Sequence, residues 1–357
     1  MKRILSCVGV AVLIALPASA RAAGGWSAPQ SLGAGQDSLL ALPGGGLAVL
    51  GSTGLDFASA PSGTITPVPP SGFTGLISPA GQLGPLVALT SKQDIRAAVA
   101  ASDGKLTVFG AVGATNTVRA SVGRTGGSFG AARTLHVANG SLLGATLARS
   151  GPVALLRRCF TRGCQKADIV LVHQTSAGWS QPRAITRPVD VNRGAVLAGG
   201  LVALPDGEIA VAYERDNVLY LRRVTPMGKV SAAQRLGAAI QARIVLAPMG
   251  GHRLLVAWAW QAVNEDYAHS PFHVRLACSN TAGHFSGHSQ ALATIPLTGA
   301  ERYVQGPGIA LAGRTLAWTD YAGGRYDVRA GDIDDACAIT AQTVAIPGSD
   351  VVLDDLA

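Results

Sequence analysis

The sequence predicts an all-β protein, a β-propeller of four-stranded blades, and three observations carry that prediction. A unit of roughly 50 residues recurs along the chain, a period at which each repeat makes one propeller blade. Each unit holds four short strand-like runs divided by turns, clearest in LVALPDG, EIAVAYERD, NVLYLRRV and GKVSAAQRL between positions 201 and 236. Beyond the N-terminal segment no stretch sustains helical periodicity, and 45 glycines suit a chain rich in turns.

Taken in order, the elements begin with residues 1–22, which read as a secretory signal peptide. Lys2 and Arg3 form a charged start, ILSCVGVAVLIALP an apolar stretch, and Ala18-Ser19-Ala20 or Ala20-Arg21-Ala22 a small-residue cleavage site. An apolar run of about 14 residues is too short to span a bilayer. Cys7 precedes most of that run, so it is misplaced for a lipid anchor. Residues 23–357 then make the propeller domain of a protein expected outside the cell or at its envelope. Trp26–Leu32 is a leading strand that would pair with the C-terminal strand and close the ring.

The first unit contains SLLALPG, GLAVLGS, LDFASAP and, as a worn fourth strand, GTITPVPP at 63–70. Segment 71–94 fits no unit and reads as a long insertion or a decayed blade, so six blades are expected and seven stay open. The second unit is IRAAVAAS, KLTVFGAV, NTVRASVG and GGSFGAARTL at 126–135. The third is GSLLGATLA, GPVALLRR, DIVLVHQTS and AGWSQPRAI at 177–185, and the fourth is the 201–236 run above. The fifth is RIVLAPM, HRLLVAWAW, FHVRLACS and GHFSGHSQAL at 283–292, and the sixth GIALAG, RTLAWTDY, RYDVRAGD and CAITAQTVAI at 337–346. The last strand of each unit is the clearest marker: a glycine turn, an aromatic or apolar residue, small residues, then Leu or Ile.

Four cysteines follow the signal, and an even count in an exported chain favours two disulfides. Cys159 and Cys164 bracket FTRG, a loop that a local bridge closes, which leaves Cys278 to pair with Cys337. Zinc is disfavoured because the C-x4-C has no second close pair or nearby His to complete four ligands. His269/His273 and His284/His288 are each four apart, but on a strand that spacing is roughly 13 Å, too far to share a metal. No metal or cofactor is expected. The formal charge of +8 falls to +5 without Lys2, Arg3 and Arg21, and the remaining basic residues are scattered. Nucleic acid is therefore not an expected partner, and no later apolar run reaches membrane-spanning length.

The marker strands resemble the repeats of sialidase-like propellers, whose Asp-box turn reads Ser-x-Asp-x-Gly-x-Thr-Trp. Ser279-Asn280-Thr281-Ala282-Gly283-His284-Phe285 keeps the Ser, the Gly and an aromatic, without the Asp and one residue short. His173–Trp179 and Val224–Val230 keep only the Gly and the hydrophobe. The resemblance implies architecture over about 120–346 and carries over no catalytic role.

In such blades the loop after the second strand shares a face with the loop leading into the next blade. Polar residues gather there: Glu214, Arg215 and Asp216; Glu265, Asp266 and Tyr267; Asp320 and Tyr321; and, before the next blades, Arg193, Arg243, Arg302 and Tyr303. Arginines can clamp an anion bidentately, and acids and tyrosines fix hydrogen bonds, so this face is the expected binding site. The expected function is a secreted, non-catalytic binding or interaction module for a glycan, a cell-wall polymer or another surface protein. The alternative is an exported sialidase-like glycoside hydrolase or lyase, with Asp320, Glu265 and Tyr303 as catalytic candidates. Trp258, Trp260, Trp318 and Tyr213 are expected in inter-blade packing, with a sugar-stacking platform as the other reading. Gly126-Gly127-Ser128-Phe129-Gly130 matches a nucleophile elbow, but a strand follows it where a helix is required.

Overall fold

A computed structural model describes residues 36–43, 47–52, 57–59, 65–67, 72–78, 84–89, 94–112, 117–137, 139–161, 164–190, 199–240, 242–261, 271–295, 308–322 and 325–347. The signal segment 1–22 and the leading strand Trp26–Leu32 lie outside these residues. The fold is all-β, and its main sheets are antiparallel with strands in sequence order. The first sheet pairs Gln36–Ala41, Leu47–Ser52, Gly72–Ile77 and Val87–Ala88. The second pairs Asp94–Ala100, Lys105–Val112, Thr117–Arg124 and Arg133–Thr134. In the third, Gly140–Ala148, Gly151–Cys159 and Lys166–Thr175 are followed by an edge broken into Gly178–Trp179, Arg183–Ala184 and Val189–Asp190.

The fourth sheet holds Gly199–Ala203, Ile209–Arg215, Val218–Val224 and Gln234–Ala238. The fifth holds Arg243–Gly250, Arg253–Gln261, Phe272–Cys278 and Gln290–Ile295. The sixth holds Ile309–Ala312, Thr315–Ala322, Arg325–Ile333 and Ile339–Pro347.

One assignment from sequence is corrected. Segment 71–94 is neither insertion nor decayed blade: Gly72–Ile77 is the third strand of the first sheet and Val87–Ala88 its fourth. The insertion is the pair read as third and fourth strands, since Phe57–Ser59 and Ile65–Pro67 form a hairpin of their own. The misreading has a physical source. Gly72–Ile77 is apolar or small at every position except Thr74, which is itself buried, so the strand lacks the polar alternation that marks the other third strands.

Each consecutive pair of sheets encloses its own hydrophobic core. On Arg253–Gln261, Leu255, Ala257 and Ala259 face the sixth sheet, while Leu254, Val256 and Trp258 face the fourth. On Ile209–Arg215, Ala210 and Ala212 join the core shared with the fifth sheet, and Val211 and Tyr213 the core shared with the third. A strand with side chains alternating every residue and apolar cover on both sides must be apolar at every position. That is why the second strands read as unbroken runs such as LLVAWAW. The first strands of successive sheets lie next to one another, which sets the sheets in series.

The marker turns of the fourth, fifth and sixth sheets share one geometry. In Thr225–Lys229, Asn280–His284 and Asp334–Ala338, the first residue's N–H donates to the fifth residue's carbonyl at 3.0, 2.8 and 3.0 Å. Its side-chain oxygen accepts the fifth residue's N–H at 3.0, 3.0 and 2.8 Å. The fourth residue must adopt positive φ: Gly228 at 82°, Gly283 at 80° and, in the sixth sheet, Cys337 at 67°. Asn280 thus performs the turn-closing role for which an Asp was sought one residue further on, at Thr281.

Side chains from one sheet fasten these turns in the next. Arg183 donates to the Gly228 carbonyl, and Gln234 accepts the Phe285 N–H at 3.2 Å. Both stand four residues after their own marker hydrophobe, Trp179 and Val230. Arg223 donates to the carbonyls of His252 at 2.6 Å and Gly283 at 3.4 Å, and a Cβ on Gly228 or Gly283 would collide with the guanidinium lying over it.

The two disulfides are Cys159–Cys164 and Cys278–Cys337, the second joining the fifth sheet to the marker turn of the sixth. They close loops with sequence separations of 5 and 59. On loop entropy, replacing Cys278 and Cys337 by Ser is expected to lower stability by roughly 4 kcal/mol, and replacing Cys159 and Cys164 by roughly 2 kcal/mol. Guanidinium unfolding of the two double variants reads the order directly; the reverse order would refute the loop-length explanation.

Candidate functional site

The sheets present their second-to-third-strand turns at one end and their marker turns at the other. The first of these ends carries the described part of the predicted site. Arg193, Glu265, Asp266, Tyr267, Arg302 and Tyr303 lie outside the described residues, which leaves Glu214, Asp216, Arg243, Asp320 and Tyr321.

Glu214 is the penultimate residue of the second strand of the fourth sheet and is only 1% exposed. Its Oε2 accepts the Ala242 N–H at 3.0 Å, so it ties the fourth sheet to the start of the fifth immediately before Arg243. A buried carboxylate needs such donors to offset lost hydration. Asp216 and Asn217 have φ of 52° and 59° and form a two-residue hairpin between Arg215 and Val218. Asp-Asn is chemically suited to such a turn, where both central residues take positive φ. Where sequence reading expects an open polar loop, the chain reverses within two residues. Asp216 spends a carboxylate oxygen on Arg215 Nε, 3.1 Å away.

Asp320 lies near the end of the second strand of the sixth sheet, opposite Asp327 in register. Its Oδ2 is 2.6 Å from Arg329 Nε, and its Oδ1 accepts the Tyr321 N–H at 2.9 Å. Tyr321 is half-buried against the core between the fifth and sixth sheets. Arg243 is half-buried on the first strand of the fifth sheet, with Ala259 as its cross-strand neighbour.

The strongest ion pair at this end was not anticipated. Asp168 is 1% exposed and holds Arg158 with two bonds, Nε to Oδ1 at 3.0 Å and Nη2 to Oδ2 at 2.6 Å. The two are cross-strand neighbours beside the Cys159–Cys164 loop. The held guanidinium lies 4.8 Å from the centre of the Phe160 ring. The signal was available in the sequence as an Asp interrupting the apolar run ADIVLV, opposite an Arg just before the loop. Reading it required the register that the disulfide loop imposes.

The aromatics take the packing role. Trp258, Trp318 and Tyr213 are buried at 0%, 1% and 2% exposure. Trp260 is half-buried, its ring 4.8 Å from that of His273. Burial first, and the nearby Arg275 charge second, hold the His273 imidazole below its ordinary range and keep it neutral to lower pH.

At the opposite end, Asp206, Glu208 and His252 bring ligand-type atoms within 4.8 Å of one another. These atoms are already engaged. His252 Nδ1 is 2.8 Å from Asp206 Oδ2, and Glu208 Oε2 is 3.5 Å from Arg223 Nη1. With a guanidinium at its edge, the group serves as a polar tie between the fourth and fifth sheets.

No protein-family model and no curated protein matches the sequence. Among solved structures, the fold is similar to a Hadza microbial sialidase at 9% identity and a TM-score of 0.47, covering 79% of this chain and 62% of that one. It is also similar to the β-propeller domain of the trilobed protease from Pyrococcus furiosus, at 9% identity and a TM-score of 0.43, with 85% and 83% covered. A third similarity is to Kuenenia stuttgartiensis hydrazine synthase, at 14% identity and a TM-score of 0.48, with 74% of each chain covered. These are similarities of fold.

The Asp168–Arg158 pair supports an asymmetric prediction. Arg158 has 29% of its side chain exposed and can turn to water, whereas Asp168 has 1% and cannot. Asp168→Ala is expected to cost about 2 kcal/mol and Arg158→Ala about 3–4 kcal/mol, because the latter strands a buried carboxylate. Denaturant midpoints of both variants test this, and equal losses would argue against it.

Proposed function

We propose that this chain is an exported, six-bladed β-propeller that works as a non-catalytic binding module for a glycan or cell-envelope polymer. The observation that carries the non-catalytic reading is the state of the described carboxylates. Glu214 is sealed under the Ala242 N–H, and Asp320 is bound to Arg329 and the Tyr321 N–H. A glycoside hydrolase needs a protonated acid and a second carboxylate free to meet the sugar. A carboxylate whose two oxygens are spent on a guanidinium and a backbone N–H is not free to meet the glycosidic oxygen. Two disulfides favour an oxidising compartment.

The ring reading is supported by the terminal sheets. Val49 and Ile77 are buried at 1% and 2% in a cluster separate from the core shared with the second sheet. In the sixth sheet, Thr319 and Val328 are buried at 1% and 0% although Thr319 points away from the Trp318 side, which packs on the fifth sheet. Apolar faces on both terminal sheets suit closure of one on the other. For the mature chain of about 335 residues, small-angle scattering is expected to give a radius of gyration of about 20 Å. A clearly larger value, with an elongated distance distribution, would mean an open fan.

Function is tested by screening the mature chain against glycans and cell-wall polymers, alongside fluorogenic sialosides and other glycosides. Polymer binding without turnover is expected. Hydrolysis that disappears in Asp320→Ala would replace this proposal with the hydrolase.

A further inference from the structure

We infer that Phe160, at the tip of the disulfide loop of the third sheet, is a stacking platform for an uncharged saccharide ring. This inference rests on the binding-module reading and names the contact through which it acts. With Trp258, Trp318 and Tyr213 in the core, Phe160 is the only exposed Phe, Tyr or Trp among the residues whose side chains are described, at 47%. Exposure alone would mean little, since scattered apolar side chains are normal on a surface.

What distinguishes Phe160 is the apparatus that holds it. The Cys159–Cys164 bridge closes the loop, and the Phe160 N–H donates to the Lys166 carbonyl at 2.8 Å. Within the loop, Thr161 accepts two N–H groups, its carbonyl from Cys164 and its Oγ1 from Gln165, both at 3.0 Å. Arg158 lies against the ring, and Asp168 fixes Arg158 from below. A ring presented with its backbone immobilised loses little freedom when a ligand stacks on it.

The surroundings select the ligand class. The described residues that flank the ring at the loop, Thr161, Gln165 and Lys166, are exposed and hydrophilic, the last of them cationic. A protein hot spot would need further apolar neighbours to keep water out. A single apolar disc edged by hydrogen-bonding groups instead matches a sugar, which has an apolar C–H face and hydroxyls around its rim. The Arg158 charge, the one against the ring, is neutralised by Asp168, and Lys166 is exposed to water where salt screens it, so the stacking contact does not depend on an acidic sugar.

Affinity electrophoresis of the mature chain tests this, in gels containing a neutral glucan, mannan or xylan and, separately, polygalacturonate. Retardation by at least one neutral polymer is expected, weakened about five- to tenfold by Phe160→Ala and restored by Phe160→Trp. Unchanged unfolding midpoints verify that the variants remain folded. Retardation that Phe160→Ala leaves intact would overturn the platform while preserving the binding module. Retardation by polygalacturonate alone, abolished by salt, would also overturn it. No retardation in any gel would overturn the platform and the glycan reading together. A Phe160-dependent rise in mass by light scattering, without retardation, would reassign the tip to protein contact.

Discussion

The structure depends on one constraint: the middle strands of its sheets are covered on both faces. A side chain at position i enters the core on one side and its neighbour at i+1 the core on the other, as Leu254 through Ala259 do in turn. A charged group placed there needs a partner to offset its lost hydration. The few charged groups admitted are therefore tied down, Asp168 by Arg158 and Glu214 by the Ala242 N–H. The same rule pushes chemical variety to the strand ends, where turns meet water.

That constraint explains what could be read from the chain. Unbroken apolar runs flanked by glycine turns mark second strands, and the marker strand repeats because its turn demands both a left-handed residue and a side-chain acceptor. Gly228 and Gly283 advertise this plainly. Cys337 conceals it, since a cysteine in that position reads as disulfide chemistry. The first sheet was the hardest to read. Its third strand, Gly72–Ile77, carries no charge, and the hairpin before it offers two better-looking candidates. Pairing is a long-range property, and local pattern does not choose between competing strands.

Legibility of the candidate site was lower for a related reason. A polar residue near a strand end is equally compatible with a ligand contact, a turn and an ionic tie. Asp216 belongs to a tight hairpin, Asp320 to an ion pair and Glu214 to a buried hydrogen bond, and only the register separates these fates. Phe160 escaped notice because a lone Phe between cysteines resembles any other hydrophobe. Its significance comes from Arg158 and Asp168, which reach it across a strand pair rather than along the sequence.

The polar fasteners at the marker turns have a wider implication. Arg183, Gln234 and Arg223 each reach from their own sheet to the one that follows, and the hydrophobic clusters likewise sit between neighbours. Cohesion is thus a nearest-neighbour affair, like that of a one-dimensional array, in which an interior sheet gains from two interfaces. Disturbance at one sheet is felt first by the two beside it and fades with distance. The Cys278–Cys337 bond spans one such interface covalently, so the fifth and sixth sheets share a fate that the earlier sheets must negotiate through non-covalent contacts alone.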